Sequence, residues 1–549
     1  MPTAELPHAP VGTRASTGSG PTDGPLAGGR LYIALAAFAV VIAALTLLIP
    51  STPSYDPWAW LVWGREIVHL DLHTTGGPSW KPLTVIFTTV FALFGKAAPD
   101  LWLVVARAGA LMAVAMTFKI AWRVGRGLFG GSVDASGTSR WAVLPVLLGA
   151  TIAAASLVNS PAFISDNALG YSEGLMTALV LVALDRHLDG ARRQAFAVGF
   201  FAALDRPELW LLWGPYGLYL WWKDPGARKL VGVLFVLIPA LWFLPELWGS
   251  GHLFRGVTRA QHPRSNSAAF AKCPFCTEFV HHAWPRVMLR VKAVGLVAMA
   301  VAALGLWRRR RSWWRRTPVA GTDVARLVLV IAGGIGWLWW IGISVETQAG
   351  FSGNDRYLVL GTALISLAGG VGWGWAAATV ARLVRRLDLP GRVGRHPSVA
   401  ASGATGTALA AAVLIATPPW IGPSIIDVPA THRALAYQAH LREDLGTAVR
   451  DLGGPARILR CGTVMAEGFQ VPMIAYALGV RTLRVVAPPN GIAPPPWPNV
   501  IFQTRDTSHA ALLPLPAQIR AWEHDGAHYT FRHIRTFWVF SDCGNKVGA

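Results

Sequence analysis

The sequence predicts a polytopic α-helical membrane protein of about eleven spans that ends in an extracytoplasmic α/β domain. Three observations lead there. Hydrophobic residues make up 53% of the 549 residues and charged residues only 14%, with a mean hydropathy of +0.41, so most of the chain belongs in lipid. Apolar runs alternate with short arginine-rich loops such as WRVGRG, WRRRRSWWRR and ARLVRR. From Ile421 onward the apolar runs stop and strand-like and helix-like segments alternate. The net charge of +20 lies in loops that follow the positive-inside rule. It therefore reports topology and excludes nucleic acid as a partner.

Residues 1–30, rich in Gly, Pro, Ala, Ser and Thr, form a disordered cytoplasmic tail. Residues 31–420 form the transmembrane domain. Leu31–Ile49 is a retained anchor, since no convincing small-residue cleavage site follows it. Lys81–Gly95 is apolar but short. Crossing there would put the basic loop Lys119–Arg140 outside, so this segment lies along the outer surface. The next spans are Leu101–Phe118, Trp141–Val158 and Glu173–His187. Ala195–Leu204 and Leu209–Trp222 are short and separated by Asp205, Arg206, Pro207 and Glu208, a pattern that lines cavities because lipid does not tolerate it. Val231–Trp248, Arg286–Trp307, Val324–Ser344, Tyr357–Ala378 and Ser402–Pro418 complete the count. The N-terminus is then cytoplasmic, and the protein is a multi-pass component of the plasma membrane.

Residues 421–549 read as an extracytoplasmic α/β domain. ARILRCGTV, VRTLRVVA and TFWVFSDC are its strands, Ala430–Leu452 and Ala517–His524 its helices, and APPPWPN a rigid loop. All four cysteines fall outside, in an oxidising compartment. Cys461 and Cys543 each end a predicted strand and can join early and late parts of this domain. Cys273 and Cys276, in CPFC, form a local staple or a redox pair; zinc would need two more ligands, for which His281 and His282 are near.

The stretch from Ser51 to Pro82 follows the anchor and is too polar to cross. Asp56-Pro57 suits a helix start, with the aspartate as cap. Asp56, Trp60, Trp63 and Ile67 share one helical face and Trp58, Val62, Arg65 and His69 another, the pattern of a tryptophan-rich interfacial helix. External polar residues beside membrane segments form a set: Asp56, His73, Lys81, Asp166, Glu173, Arg206, Glu208, Asp355 and Arg356. Acids and bases on one side of a membrane suit an anionic lipid-borne group, with arginine holding a phosphate and a carboxylate taking a hydroxyl proton. Taken singly each has a plainer role, as a cap, a turn residue or an internal ion pair.

The arrangement resembles the GT-C superfamily of integral membrane glycosyltransferases, which take sugars from polyprenyl-phosphate donors. The likeness rests on Asp56 in YDPWAW, an interfacial helix, a second external helix opening KPL (Lys81 to Leu83), and Asp166 in ISDNALGYSE. A polytopic body ending in an external domain also matches the actinobacterial members that build cell-wall arabinan and mannan. The resemblance implies that Asp56 is the general base and that Asp166 assists with metal or acceptor. By position, Arg206, Arg356 and Lys81 would hold the donor phosphate. Trp58, Trp60, His73, Glu173, Glu208 and Asp355 would then contact substrate, with tryptophan rings stacking on sugar faces. The implied partners are a polyprenyl-phosphate sugar donor, a cell-envelope glycan or glycolipid acceptor and membrane lipid. The sequence has a single Asp56 where several subfamilies have an adjacent acid pair, and it lacks a DxD in the second loop. A divalent metal ion is the one cofactor the resemblance leaves open. Two other classes compete: a transporter or flippase, which predicts repeated halves that the sequence lacks, and a thiol oxidoreductase built on Cys273 and Cys276.

Overall fold

The computed structural model describes residues 25–129, 143–263, 267–314, 321–387, 399–416, 426–489 and 495–543. The tail expected over residues 1–30 lies mostly outside these residues, as do part of the basic loop 119–140 and the first two residues of the proline run APPPWPN.

Every expected span is a helix. They are α1 (Pro25–Leu45), α4 (Ala98–Phe129), α5 (Leu144–Val158), α7 (Glu173–Leu188), α8 (Arg192–Ala203), α9 (Trp210–Lys223) and α10 (Arg228–Ser250), then α13 (Leu289–Trp314), α14 (Gly321–Gln348), α15 (Val359–Leu387) and α16 (Val399–Ala416). Among the described residues six helices, α1, α4, α10, α13, α14 and α15, are long and apolar enough to cross a membrane alone; α5, α7, α8, α9 and α16 are shorter. The most central is α15. Leu358–Ala368 along it is buried without a break, and Gly369 and Gly370 approach Val291 of α13 and Gly149 of α5 so closely that a Cβ would strike backbone.

Between the spans, on one side of the bundle, lie α2 (Tyr55–Val68), α3 (Pro82–Ala92), α6 (Phe163–Ala168), α11 (Arg255–Ala260) and the single turn α12 (Pro274–Cys276). At 11 residues, α3 is too short to cross. The expectation for α2 needs correction. Its cap is Ser54, and Asp56 is already inside the helix. Its tryptophans are interior rather than interfacial: Trp58 is 4% exposed, and Trp60 and Trp63 are fully buried. Each packs on another aromatic ring, Trp58 on Tyr476, Trp60 on Trp102 and Trp63 on Trp80. A two-faced pattern in sequence became an all-round buried helix because a second layer covers the face meant for lipid headgroups.

That layer is the C-terminal domain, with α17 (Val428–Asp451), α18 (Pro455–Cys461), α19 (Val471–Leu478) and α20 (Pro516–His524). Its five strands are β1 (Thr463–Ala466), β2 (Val485–Val486), β3 (Asn499–Gln503), β4 (Thr530–Ile534) and β5 (Phe537–Asp542), in the order β2-β1-β3-β5-β4. β1 runs parallel to β2 and β3, while β5 is antiparallel to both β3 and β4. Alternation along the strands splits the core. Val464, Ala466, Val500 and Phe502 face α17–α19 and share one apolar cluster with Trp58, Trp60 and Trp63 of α2; Met465 and Ile501 face Ile519 and Trp522 of α20. The segment ARILRCGTV divides into helix α18 and strand β1, because Pro455 starts a helix and Gly462, at φ 140°, breaks it. VRTLRVVA is mostly a 3₁₀ turn and supplies two strand residues. Strands β3 and β4 and helix α19 were not expected.

Both cysteine pairs are disulfides, Cys273 with Cys276 and Cys461 with Cys543. CPFC is therefore a staple, and Cys461 ends a helix rather than a strand. The domain is further tied to the α2 segment and to the start of α4 by polar contacts. Arg65 donates to the carbonyls of Tyr476 and Val480, Arg481 pairs with Asp71, and Arg442 pairs with Asp100 at 2.7 Å.

Gly64 is where α2 meets α3, since a Cβ there would lie 2.4 Å from the carbonyl carbon of Thr88. Gly64→Ala is expected to destabilise the protein by about 1–3 kcal/mol, as overpacking does, read as a lower thermal unfolding midpoint in lipid nanodiscs. Gly334→Ala, where nothing lies within 4 Å, is the control and should not lower it.

Candidate functional site

A cavity of about 360 Å³ opens where α2, the 255–285 segment, the start of α15 and the C-terminal domain meet. Four residues from the sequence set line it directly: Asp56, Lys81, Asp355 and Arg356. The backbone brings them together. The Ser54 amide donates to the Leu169 carbonyl at 2.9 Å, and the Ser54 hydroxyl meets that of Tyr171 at 3.0 Å, so the start of α2 is stitched to the second external loop. Arg356 sits in a turn just before α15. It forms a tight ion pair with Asp56, and its guanidinium lies 3.9 Å from the centre of the Tyr171 ring.

Glu173, at the first position of α7, is the hub behind this wall. Only 2% exposed, it lies 3.0 Å from Lys81, 3.4 Å from Arg356 and 3.8 Å from Arg206. Lys81 precedes the helix-opening Pro82 and also donates to the Ser172 hydroxyl. Burial works against its charge, but Asp205 and Glu173 outweigh that and hold the ammonium above the usual lysine range. Arg206 pairs with Glu208 and stacks on Tyr357 at 3.6 Å. Thus Arg206–Glu208 is an internal ion pair, yet one joined through Glu173 to the cavity wall.

A second cluster adjoins the first. Arg286, with a side chain 1% exposed, reaches Asp355 at 3.3 Å and donates to the Ser160 hydroxyl at 3.2 Å. Asp166, on α6, is half-buried as a residue, but its Oδ2 is sealed from solvent with no hydrogen-bond partner among the described residues. Burial, reinforced by the Asp355 carboxylate, pushes its carboxyl up to about 8 against the pull of Arg286 and Arg356. His282 lines the cavity and shares a 2.8 Å hydrogen bond with Glu278, which is fully buried. That bond holds its imidazolium above the usual histidine range.

Three residues of the sequence set stand elsewhere. Trp58 and Trp60 are core residues and line no part of this cavity. His73 lies against the end of α2, its amide on Glu66 and its carbonyl accepting from Trp63. Sequence reasoning missed Tyr55, Tyr171, Arg286 and Phe469, and took His282 only for a spare zinc ligand. The acid four residues before His282 was the available signal for that pair. Among the described residues, no group of three His, Cys, Asp or Glu side chains is placed to hold a metal ion.

A second cavity, of about 430 Å³, is an apolar groove among α7, α8, α9 and α14, lined by residues such as Leu184, Leu212, Trp213, Val328 and Ile331. Ala202 and Leu209 line it too, and they bracket Arg206 in the chain.

No family model matches the sequence, and no curated protein matches it. Among solved structures the chain is similar to ArnT from Cupriavidus metallidurans bound to undecaprenyl phosphate, at a TM-score of 0.47 and 14% identity over 95% of this chain and 99% of that one. The apo state of ArnT from Cupriavidus metallidurans gives a TM-score of 0.45 and 14% identity over 94% and 98%.

The raised Asp166 carboxyl yields a signed prediction. An acid raised in the folded state contributes stability below its ordinary pKa that is lost as pH rises through the folded value. The wild-type midpoint should therefore fall, relative to that of Asp166→Asn, as pH rises from about 4 to about 8. Parallel midpoints across that range, measured by thermal unfolding, would show Asp166 to be ionised throughout.

Proposed function

We propose that this protein is an inverting, polyprenyl-phosphate-dependent glycosyltransferase whose active site faces the extracytoplasmic side. The single observation that carries the reading is the pairing of two dissimilar cavities. An apolar groove within the bundle is lined by Ala202 and Leu209, on either side of Arg206 in the chain, and Arg206 is linked through Glu173 to Lys81 and Arg356, which line a polar cavity holding a carboxylate. A substrate fitting both has a long apolar tail, a phosphate and a polar head, as a polyprenyl-phosphate sugar does.

In this reading the tail lies in the groove and the phosphate between Arg206, Lys81 and Arg356. These cations are held by carboxylates in the protein alone, so the phosphate must displace one. The Asp56–Arg356 pair is the one that opens onto the polar cavity. Phosphate binding to Arg356 by charge-assisted hydrogen bonds then releases Asp56 as a base. The acceptor hydroxyl gives its proton to Asp56 as its oxygen attacks the anomeric carbon from the face opposite the phosphate. The bond from anomeric carbon to phosphate oxygen breaks, its electron pair leaves with the polyprenyl phosphate, and the cations stabilise the charge that develops. The resemblance of the sequence to enzymes of cell-wall arabinan and mannan favours arabinose or mannose as the sugar and a cell-envelope glycan or glycolipid as the acceptor. None of these steps draws on a metal ion.

The test is sugar transfer by purified protein from a panel of synthetic polyprenyl-phosphate sugars that includes arabinose and mannose. Wild type should turn over at least one donor, and a well-folded Asp56→Asn should lose about 10²–10⁴-fold in kcat, the range of a positioned base. Arg356→Ala should weaken donor binding as well as kcat. Unchanged turnover in Asp56→Asn would move the base to another group, and failure to bind any donor would favour a transporter.

A further inference from the structure

One wall of the polar cavity comes from outside the membrane domain. Phe469 lines it together with Tyr55, the residue before Asp56, and the two rings meet edge to face with centroids 6.0 Å apart. Phe469 lies in the loop between β1 and α19, where its amide donates to the Glu467 carboxylate at 2.7 Å, so the ring is carried on a pinned turn.

The sheet topology gives this loop a second meaning. The chain leaves β1 through α19 to β2 on one side, whereas β3, the neighbour on the other side, leads away toward α20 and the β4–β5 pair. α19 and α20 pack on opposite faces. The carboxyl ends of β1 and β3 are thus a point where connections diverge, and in open α/β sheets such a point forms a ligand crevice. Residues Glu467–Gln470 follow β1 there, and Thr504 and Arg505 follow β3. Of these residues, Phe469 lines the polar cavity of the membrane domain.

Resting on the glycosyltransferase reading, we propose that the C-terminal domain supplies the acceptor subsite, with the terminal ring of a neutral oligosaccharide stacked on Phe469 and Tyr55 beside Asp56. The chemistry of the wall selects this class. A pair of neutral aromatic rings presents apolar area to the C–H face of a sugar. Small polar side chains of the same cavity, Ser267, Ser352 and Asn354, suit its hydroxyls. In the same reading the donor tail lies in the apolar groove, whose lining shares no residue with that of the polar cavity, so the two substrates reach Asp56 by different routes.

The test uses the full chain in nanodiscs, comparing wild type, Phe469→Ala and Phe469→Trp. Two ligands are titrated separately: a panel of short arabino- and manno-oligosaccharides, and polyprenyl phosphate. Wild type and Phe469→Trp should bind at least one oligosaccharide, Phe469→Ala should bind it about tenfold more weakly, and all three should bind polyprenyl phosphate equally, which also shows that the variants are folded. Equal oligosaccharide binding in Phe469→Ala would overturn the proposal. So would wild type that binds polyprenyl phosphate and no oligosaccharide, or that binds a serine- and threonine-rich peptide at this wall instead. Oligosaccharide binding that depends on Phe469 without any polyprenyl-phosphate binding would support the subsite and remove the donor reading.

Discussion

Glu173 is the constraint on which the site depends. A carboxylate at 2% exposure, at the mouth of a helix that runs into an apolar bundle, is sustainable only with cations around it. It draws them from three places far apart in sequence: Lys81 ahead of α3, Arg206 between α8 and α9, and Arg356 ahead of α15. Each of those segments is a break between helices. One buried acid thereby gathers the irregular ends of three helices to one point, and the aqueous cavity is the space left where they cannot pack. The tyrosines complete this arrangement. Tyr171 and Tyr357 lie flat against Arg356 and Arg206, which fixes the guanidinium planes and covers their apolar faces.

The membrane body was legible in the sequence because hydropathy and arginine placement are one-dimensional signals. Each apolar run became a helix, and the charged tetrad at 205–208 is a break between α8 and α9, though its charges pair inside the protein and line neither of the two cavities. Within the site, Asp56, Lys81, Asp355 and Arg356 could be placed together from topology alone, since lying on one side of the bundle at helix ends leaves few positions. The pairing among them could not be foreseen. That Arg356 grips Asp56, 300 residues away, depends on how far α2 is drawn toward α15, which no local pattern encodes.

The α2 segment shows why the remainder was missed. Its two-faced tryptophan pattern is the pattern of an interfacial helix, and it is equally that of a helix buried by a neighbour absent from the local sequence. The covering layer arrives some 380 residues later, in α17–α19. The same distance hid Phe469, an aromatic in a loop with nothing nearby to mark it. In the C-terminal domain the errors were local. Proline and glycine at the edges of ARILRC outweigh its apolar alternation, and NVIFQ is a fully buried strand shadowed by the proline run before it.

The shared apolar cluster of α2 and the C-terminal domain also governs the order in which the protein can mature. The helix bearing Asp56 is among the first parts of the chain to be made, yet Trp58 has nothing to bury against until Tyr476 of α19 has followed. The sheet beneath α19 is closed only when Cys543, beyond the last strand, reaches Cys461. Early and late segments must therefore wait for each other. A chain halted partway through synthesis would hold the aspartate on an uncovered helix beside an unfinished wall. The cavity is thus complete only once the whole chain has folded, because Phe469, which lines it, arrives some 400 residues after Asp56.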